Sequence, residues 1–188
     1  MDYKGKLREL LKNPLNVFLL KGFLVMGFWT MLTEFIAIHP VFKPIWTGLN
    51  NFLLTIIVNS SAFLLKIVGY SVTLNGAIIR IDDSPGVHVG PACIGIGMLY
   101  GFFALIFVYP GDSKKKLWFT PLGLMGIMIL NILRVSVLAV NSLYNPANVD
   151  FNHKYIFNVL VYIFIFIMWI IWVGYIGKTP ANSVEKEN

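Results

Sequence analysis

The chain has 188 residues, of which 57% are hydrophobic and only 13% charged, with a mean hydropathy of +0.73. Soluble domains average about 45–50% apolar and about 25% charged residues, so the composition excludes an ordinary soluble domain and fits a single integral membrane domain. The net charge of +6 lies on short polar segments with no aromatic-interleaved basic face, which argues against nucleic-acid binding, and one cysteine excludes an internal disulfide or a cysteine-built zinc site.

Residues 1–14 make a polar, mixed-charge segment expected in the cytoplasm. The apolar run after it, Leu15–Ile38, is too long for a signal-peptide core and no Ala-x-Ala site follows, so it reads as a first span and not a cleaved leader. The next apolar segment, Thr47–Gly69, is interrupted by polar residues. At about 100° per residue, Thr47, Asn51, Thr55, Asn59 and Lys66 fall on one side, as expected of an amphipathic helix lying in the interface or lining a cavity.

Strand signals come next. Tyr70-Ser-Val-Thr-Leu74 alternates, Asn75-Gly76 is a strong turn signal, and Ala77-Ile-Ile-Arg-Ile81 follows. Asp82-Asp83-Ser84-Pro85-Gly86 marks a second turn before Val87-His88-Val89. Three short strands would form a small cap. Three further spans follow: Cys93–Tyr109, a long Leu117–Leu143 that has room to tilt, and Tyr155–Gly177, with Trp169 and Trp172 as interface anchors. Residues 178–188 are polar and expected to be a disordered cytoplasmic tail.

Loop charges decide the threading. If Thr47–Gly69 crosses, the basic residues of loops and tails split six and six; if it lies on the outer surface, nine are inside and only Lys43, Lys66, Arg80 and Lys154 are outside. The second arrangement has the asymmetry that membrane insertion favours. The expected fold is therefore an α-helical integral membrane protein with about four transmembrane helices, an outer-face amphipathic helix and a small β-hairpin cap. Residues 15–177 form one domain, with the amphipathic helix and cap at about 39–92 and both termini cytoplasmic.

This threading gathers three chemically costly residues near the outer face. Cys93 opens the second span, where unpaired N–H groups and partial positive charge suit a nucleophile. Arg134 lies in an otherwise uncharged run, Gly123–Val140; Arg in hydrocarbon costs at least about 2.5–3.5 kcal/mol on insertion scales. From there it is expected to snorkel outward, with Asn131, one turn earlier, placed to hold the guanidinium. His153 begins the last span, and imidazole, with an unperturbed pKa of ~6.5, suits a proton shuttle. A Cys–His pair within hydrogen-bond reach would activate the thiol. His39 and His88 fall on the same side and are rivals for that role.

The order and setting of Pro91-Ala92-Cys93-Ile94-Gly95, Asn131-Ile-Leu-Arg134-Val135 and the His153 segment, with the strand pair before the cysteine, resembles the archaeosortase/exosortase family over about Pro40–Gly177. Family members commonly carry Cys-Ser-Gly or Cys-Ala-Gly where this chain has Cys93-Ile94-Gly95, and larger members have additional N-terminal spans. The resemblance implies a membrane-embedded cysteine transpeptidase or protease working through a thioester acyl-enzyme, without metal or cofactor. It implies Cys93 as nucleophile, His153 as acid and base, and Arg134 as stabilising cation, with Asn131 in support. Its substrate would be the C-terminal sorting signal of an exported protein, and its acceptor a surface anchor of lipid or glycan. The main rival reading is a non-catalytic subunit that binds a partner or lipid headgroup through Arg134 and the cap; a transporter component with Arg134 as anion site is disfavoured, because only one intramembrane cation lies deep, Lys21 and Glu34 being near the ends of the first run, and no discontinuous repeat appears. The chain contains no Gly-x-Ser-Gly and no His-Glu-x-x-His, which counts against rhomboid-like and zinc proteases.

Overall fold

The computed structural model describes residues 14–145 and 157–176; the expected N-terminal segment and C-terminal tail lie outside the described residues. Helices α1 (Pro14–Ile38) and α2 (Phe42–Ile67) are joined at His39 and Pro40. The His39 ring packs between Phe35 and Phe42, and its Nδ1 accepts the Val41 N–H at 3.4 Å. Helix α2 stops at Gly69, which adopts φ +100. The Gly69 and Tyr70 N–H groups close back on the Lys66 and Leu65 carbonyls at 3.0 and 3.1 Å. This is the paired-bond helix end that favours glycine.

Strands β1 (Val72–Asn75), β2 (Ile78–Ile81) and β3 (Val87–His88) form an antiparallel meander in the order β1-β2-β3. Asn75 pairs with Ile78, so the tight turn is Gly76-Ala77, one residue later than the sequence signal, with Gly76 at φ +59. Val87 and Val89 are buried and His88 is exposed, as the alternation predicts. A side-chain hydrogen bond between Tyr70 and Tyr144 ties this cap to the end of the longest helix and holds the Tyr70 phenol above its ordinary pKa.

After the cap comes a one-turn helix, α3 (Pro91–Ile94), then α4 (Ile96–Val108), α5 (Ser113–Tyr144) and α6 (Phe157–Ile171), which ends in a π turn at Trp172–Ile176. Asp112 caps α5 by accepting the Lys114 N–H at 2.9 Å. Lys116 reaches back to the Tyr109 and Phe107 carbonyls at 2.8 and 3.1 Å, closing the C-terminal end of α4.

Four helices are long and apolar enough to cross a membrane: Asn16–Ile38, Phe42–Ile67, Ser113–Tyr144 and Asn158–Ile176. This set differs from the threading above in one member. Gly95, in the left-handed region at φ 68, breaks the Cys93–Tyr109 run and leaves α4 with 13 residues. At 1.5 Å per residue that is about 20 Å, against about 30 Å of hydrocarbon. Helix α2 has the length instead. The residues of its expected polar stripe, Thr47, Asn51, Thr55, Asn59 and Lys66, are all exposed, while Ile57, Val58, Ser61, Ala62 and Leu65 are buried against the rest of the protein.

Two cores result. One joins α2, the sheet, α3 and α5 through Ile57, Val58, Leu65, Ile79, Ile81 and Val135, with Cys93 inside it. The other joins α4, α5 and α6 through Phe102, Phe119, Ile127, Val161 and Trp172. In lipid, helices gain from close packing over small residues more than from burying apolar surface. Gly123 and Gly126 of α5 serve this: a Cβ at either would overlap the Phe102 or the Phe164 ring.

Candidate functional site

The Cys93 turn is built from local sequence. Gly90 precedes α3 in extended conformation, and Pro91 opens it with a φ already suited to a helix. The Cys93 N–H donates to the Gly90 carbonyl at 2.9 Å. Cys93 thus sits in the first turn of a helix, as expected, but of a separate turn that Gly95 disconnects from α4. The thiol is 3% exposed and packs in the α2–sheet–α5 core.

Helix α5 brings two polar residues to this turn. Asn131 is fully buried, and its Nδ2 donates to the Ile94 carbonyl at 3.0 Å. Its Oδ1 is buried with no hydrogen-bond partner among the described residues. Gly95 is required here twice over: its φ is positive, and a Cβ would come within 3.1 Å of the Asn131 Nδ2. Asn131 therefore holds the backbone beside Cys93, a task different from the one its spacing to Arg134 suggested.

One turn later, Arg134 is 3% exposed and turned into the protein; it does not snorkel to a surface. Its Nη1 donates to the Asn158 Oδ1 of α6 at 3.1 Å, and it interacts electrostatically with Cys93. A guanidinium has five donors in a planar fork, so it can engage α6 on one side and a developing charge at Cys93 on the other. The structure thus brings Cys93, Asn131 and Arg134 together.

His153 lies outside the described residues. Of its rivals, His39 is engaged in the α1–α2 turn. The exposed His88 ring lies 3.9 Å from where a Gly90 Cβ would stand.

Asn158 is the site residue that the sequence reading missed. The available signal was an amide near the start of an otherwise apolar run, since polar groups within spans tend to face the bundle interior. Asn158→Leu removes an acceptor from a buried guanidinium, a loss of about 1–3 kcal/mol. Any activity that depends on Arg134 should then fall roughly ten- to hundredfold. Asn158→Asp should retain most of it, with product formation and the melting temperature of the detergent-solubilised protein measured in parallel.

The sequence model of one protein family, described as transmembrane exosortase, matches residues 17–173. No curated protein and no solved structure gives a significant match to the chain.

Proposed function

As the chain belongs to the transmembrane exosortase family, we propose that it is a membrane-embedded cysteine transpeptidase or protease, with Cys93 as nucleophile, Arg134 as oxyanion-stabilising cation and His153 as acid and base. The family places it among multi-pass, sorting-related membrane enzymes that act on the C-terminal sorting signals of proteins. The observation that carries the residue assignment is the interaction of a buried thiol with a buried guanidinium. Packing alone does not call for an arginine beside a core cysteine, because the charge is costly there.

The reaction follows from these groups. Cys93 Sγ attacks the scissile carbonyl, and the proton leaves with the base. Arg134 donates to the oxyanion as charge develops, when such donors count most. His153 protonates the departing amine and a thioester remains. The amine of a lipid or glycan anchor, or water, then attacks the thioester, His153 takes its proton, and Cys93 is restored. His153 precedes Asn158, the partner of Arg134, by five residues in the sequence. In this reading the β cap and the Cys93 turn lie at the outer face.

The test is to trap the acyl-enzyme. A tagged exported protein ending in a short motif, an apolar helix and a basic tail is co-expressed, and membranes are quenched in acid. A hydroxylamine-labile adduct of chain and tagged fragment is expected with the wild type and absent in Cys93→Ala. His153→Ala should abolish product while His88→Ala keeps it. The reverse histidine result would transfer the acid/base role to His88.

A further inference from the structure

The last strand of the cap has an open edge. In the order β1-β2-β3, β3 pairs on one side only. Val87 and His88 stand opposite Ile79 and Ile78 of β2, and the Val89 N–H donates to the Ala77 carbonyl at 2.8 Å. Along an antiparallel ladder, successive residues bond alternately toward the partner strand and away from it. Val89 bonds toward β2, so the N–H and carbonyl of His88 point away from it. Gly90 prolongs the strand in extended conformation, at φ −98 and ψ 178, and its N–H points to the same open side. Among the described residues, none bonds to these three groups.

This edge leads into the Cys93 turn. Gly90 is followed directly by Pro91, the first residue of α3, and the Gly90 carbonyl accepts the Cys93 N–H at 2.9 Å. Val89 is fully buried in the same core as Cys93, Val135 and Ala139, which fixes the strand against the surroundings of the thiol. The other outer strand, β1, runs back to Gly69 and the end of α2 instead. A carbonyl inside a helix is already bonded within the helix. Chain that is to be cut must therefore be extended where a thiol attacks it, and extended chain carries N–H and carbonyl groups that need partners. The edge of β3 offers donor, acceptor and donor in a row at strand spacing. A helix has spent its backbone groups internally, and a lipid headgroup does not repeat at that spacing.

We infer that the protein to be cleaved docks here as a fourth strand, the segment beside its scissile bond pairing with the backbone of His88 and Gly90. This deepens the proposed function and rests on it for the identity of the nucleophile. Main-chain pairing sets the register of the peptide over the Cys93 turn without reading its sequence. Every second side chain of the peptide lies on the exposed face that carries His88, and the alternate ones lie on the face of Val87 and Val89.

The test is a cross-linking scan. The chain carries Cys93→Ala and His88→Cys, so its one thiol stands on the exposed face of β3 and the backbone is kept. The probe is a tagged, cysteine-free exported protein that the wild type processes, given single cysteines at successive positions around its cleavage point. Mild oxidation is expected to form disulfides at every second position, the spacing of a strand. Disulfides at about every third or fourth position, the spacing of a helix, or at none, overturn the inference. His88→Pro removes the N–H without breaking a bond to β2. It is expected to process about tenfold or more below His88→Ala, which keeps the N–H, with melting temperatures measured in parallel. Equal processing by the two variants overturns the pairing and leaves the Cys93 reading intact. Should His88→Pro melt lower, the scan, which leaves the backbone whole, decides alone. Continued processing in Cys93→Ala overturns the Cys93 reading, while disulfides at every second position still report the added strand.

Discussion

Cys93→Ala is expected to abolish processing of a sorting-signal reporter, a fall of at least roughly 10⁴-fold where a nucleophile is lost, with chain level and membrane insertion unchanged. Immunoblotting of precursor and product in membranes measures it. Removing one sulfur atom from the core formed by Ile57, Val58 and Val135 leaves only a small void, costing on the order of 1 kcal/mol, so loss of fold does not account for such a result. Cys93→Ser tests the same point with the volume conserved. A hydroxyl is a far weaker nucleophile in a site arranged for a thiol, and product should again be absent. The rival reading, a non-catalytic subunit that holds a partner or lipid headgroup through Arg134 and the cap, makes the opposite forecast: both cysteine variants would be silent. Wild-type product in Cys93→Ala would settle the matter in its favour.

The parts of this protein legible in its sequence are those set by local chemistry or by a large solvation cost. The β meander follows from the turn residues, and even there Asn75 ends a strand and Gly76-Ala77 makes the turn, because the left-handed φ falls on the glycine. Cys93 and Arg134 stood out because a lone thiol and a charge in hydrocarbon are each costly or rare enough to need a reason. What remained hidden depends on partners distant in sequence. Asn158 is an uncharged amide whose meaning comes only from Arg134, 24 residues away. The run Cys93-Ile94-Gly95-Ile96-Gly97 reads as continuous helix until Asn131 is seen to press against Gly95. Helix α2 has the same period whether it crosses or lies flat, so its stripe of Thr47, Asn51, Thr55 and Asn59 identified a polar face without fixing its depth. The filled and open glycines are indistinguishable in sequence, since only the fold puts Phe102 over Gly123 and nothing over Gly97.

Arg134→Ala is expected to lower processing about 10²–10³-fold, the loss that follows removal of one donor from an oxyanion site. Stability should fall little. A buried guanidinium is costly to desolvate, so deleting it removes a penalty together with its hydrogen bond to Asn158, and the two changes oppose each other. Arg134→Lys separates charge from geometry. Lysine is a compact point charge without the planar fork, so it cannot hold Asn158 at 3.1 Å and face Cys93 in the way the guanidinium does. An intermediate activity is expected. If bare charge sufficed, Arg134→Lys would match the wild type, and the Asn158 contact would then be dispensable. The double variant Cys93→Ala/Arg134→Ala completes the argument. Groups that act on one transition state are non-additive, so the second substitution should cost nothing further once the thiol is gone. An additional loss of partner association in the double variant, beyond Cys93→Ala alone, would instead assign Arg134 to binding and not to the oxyanion.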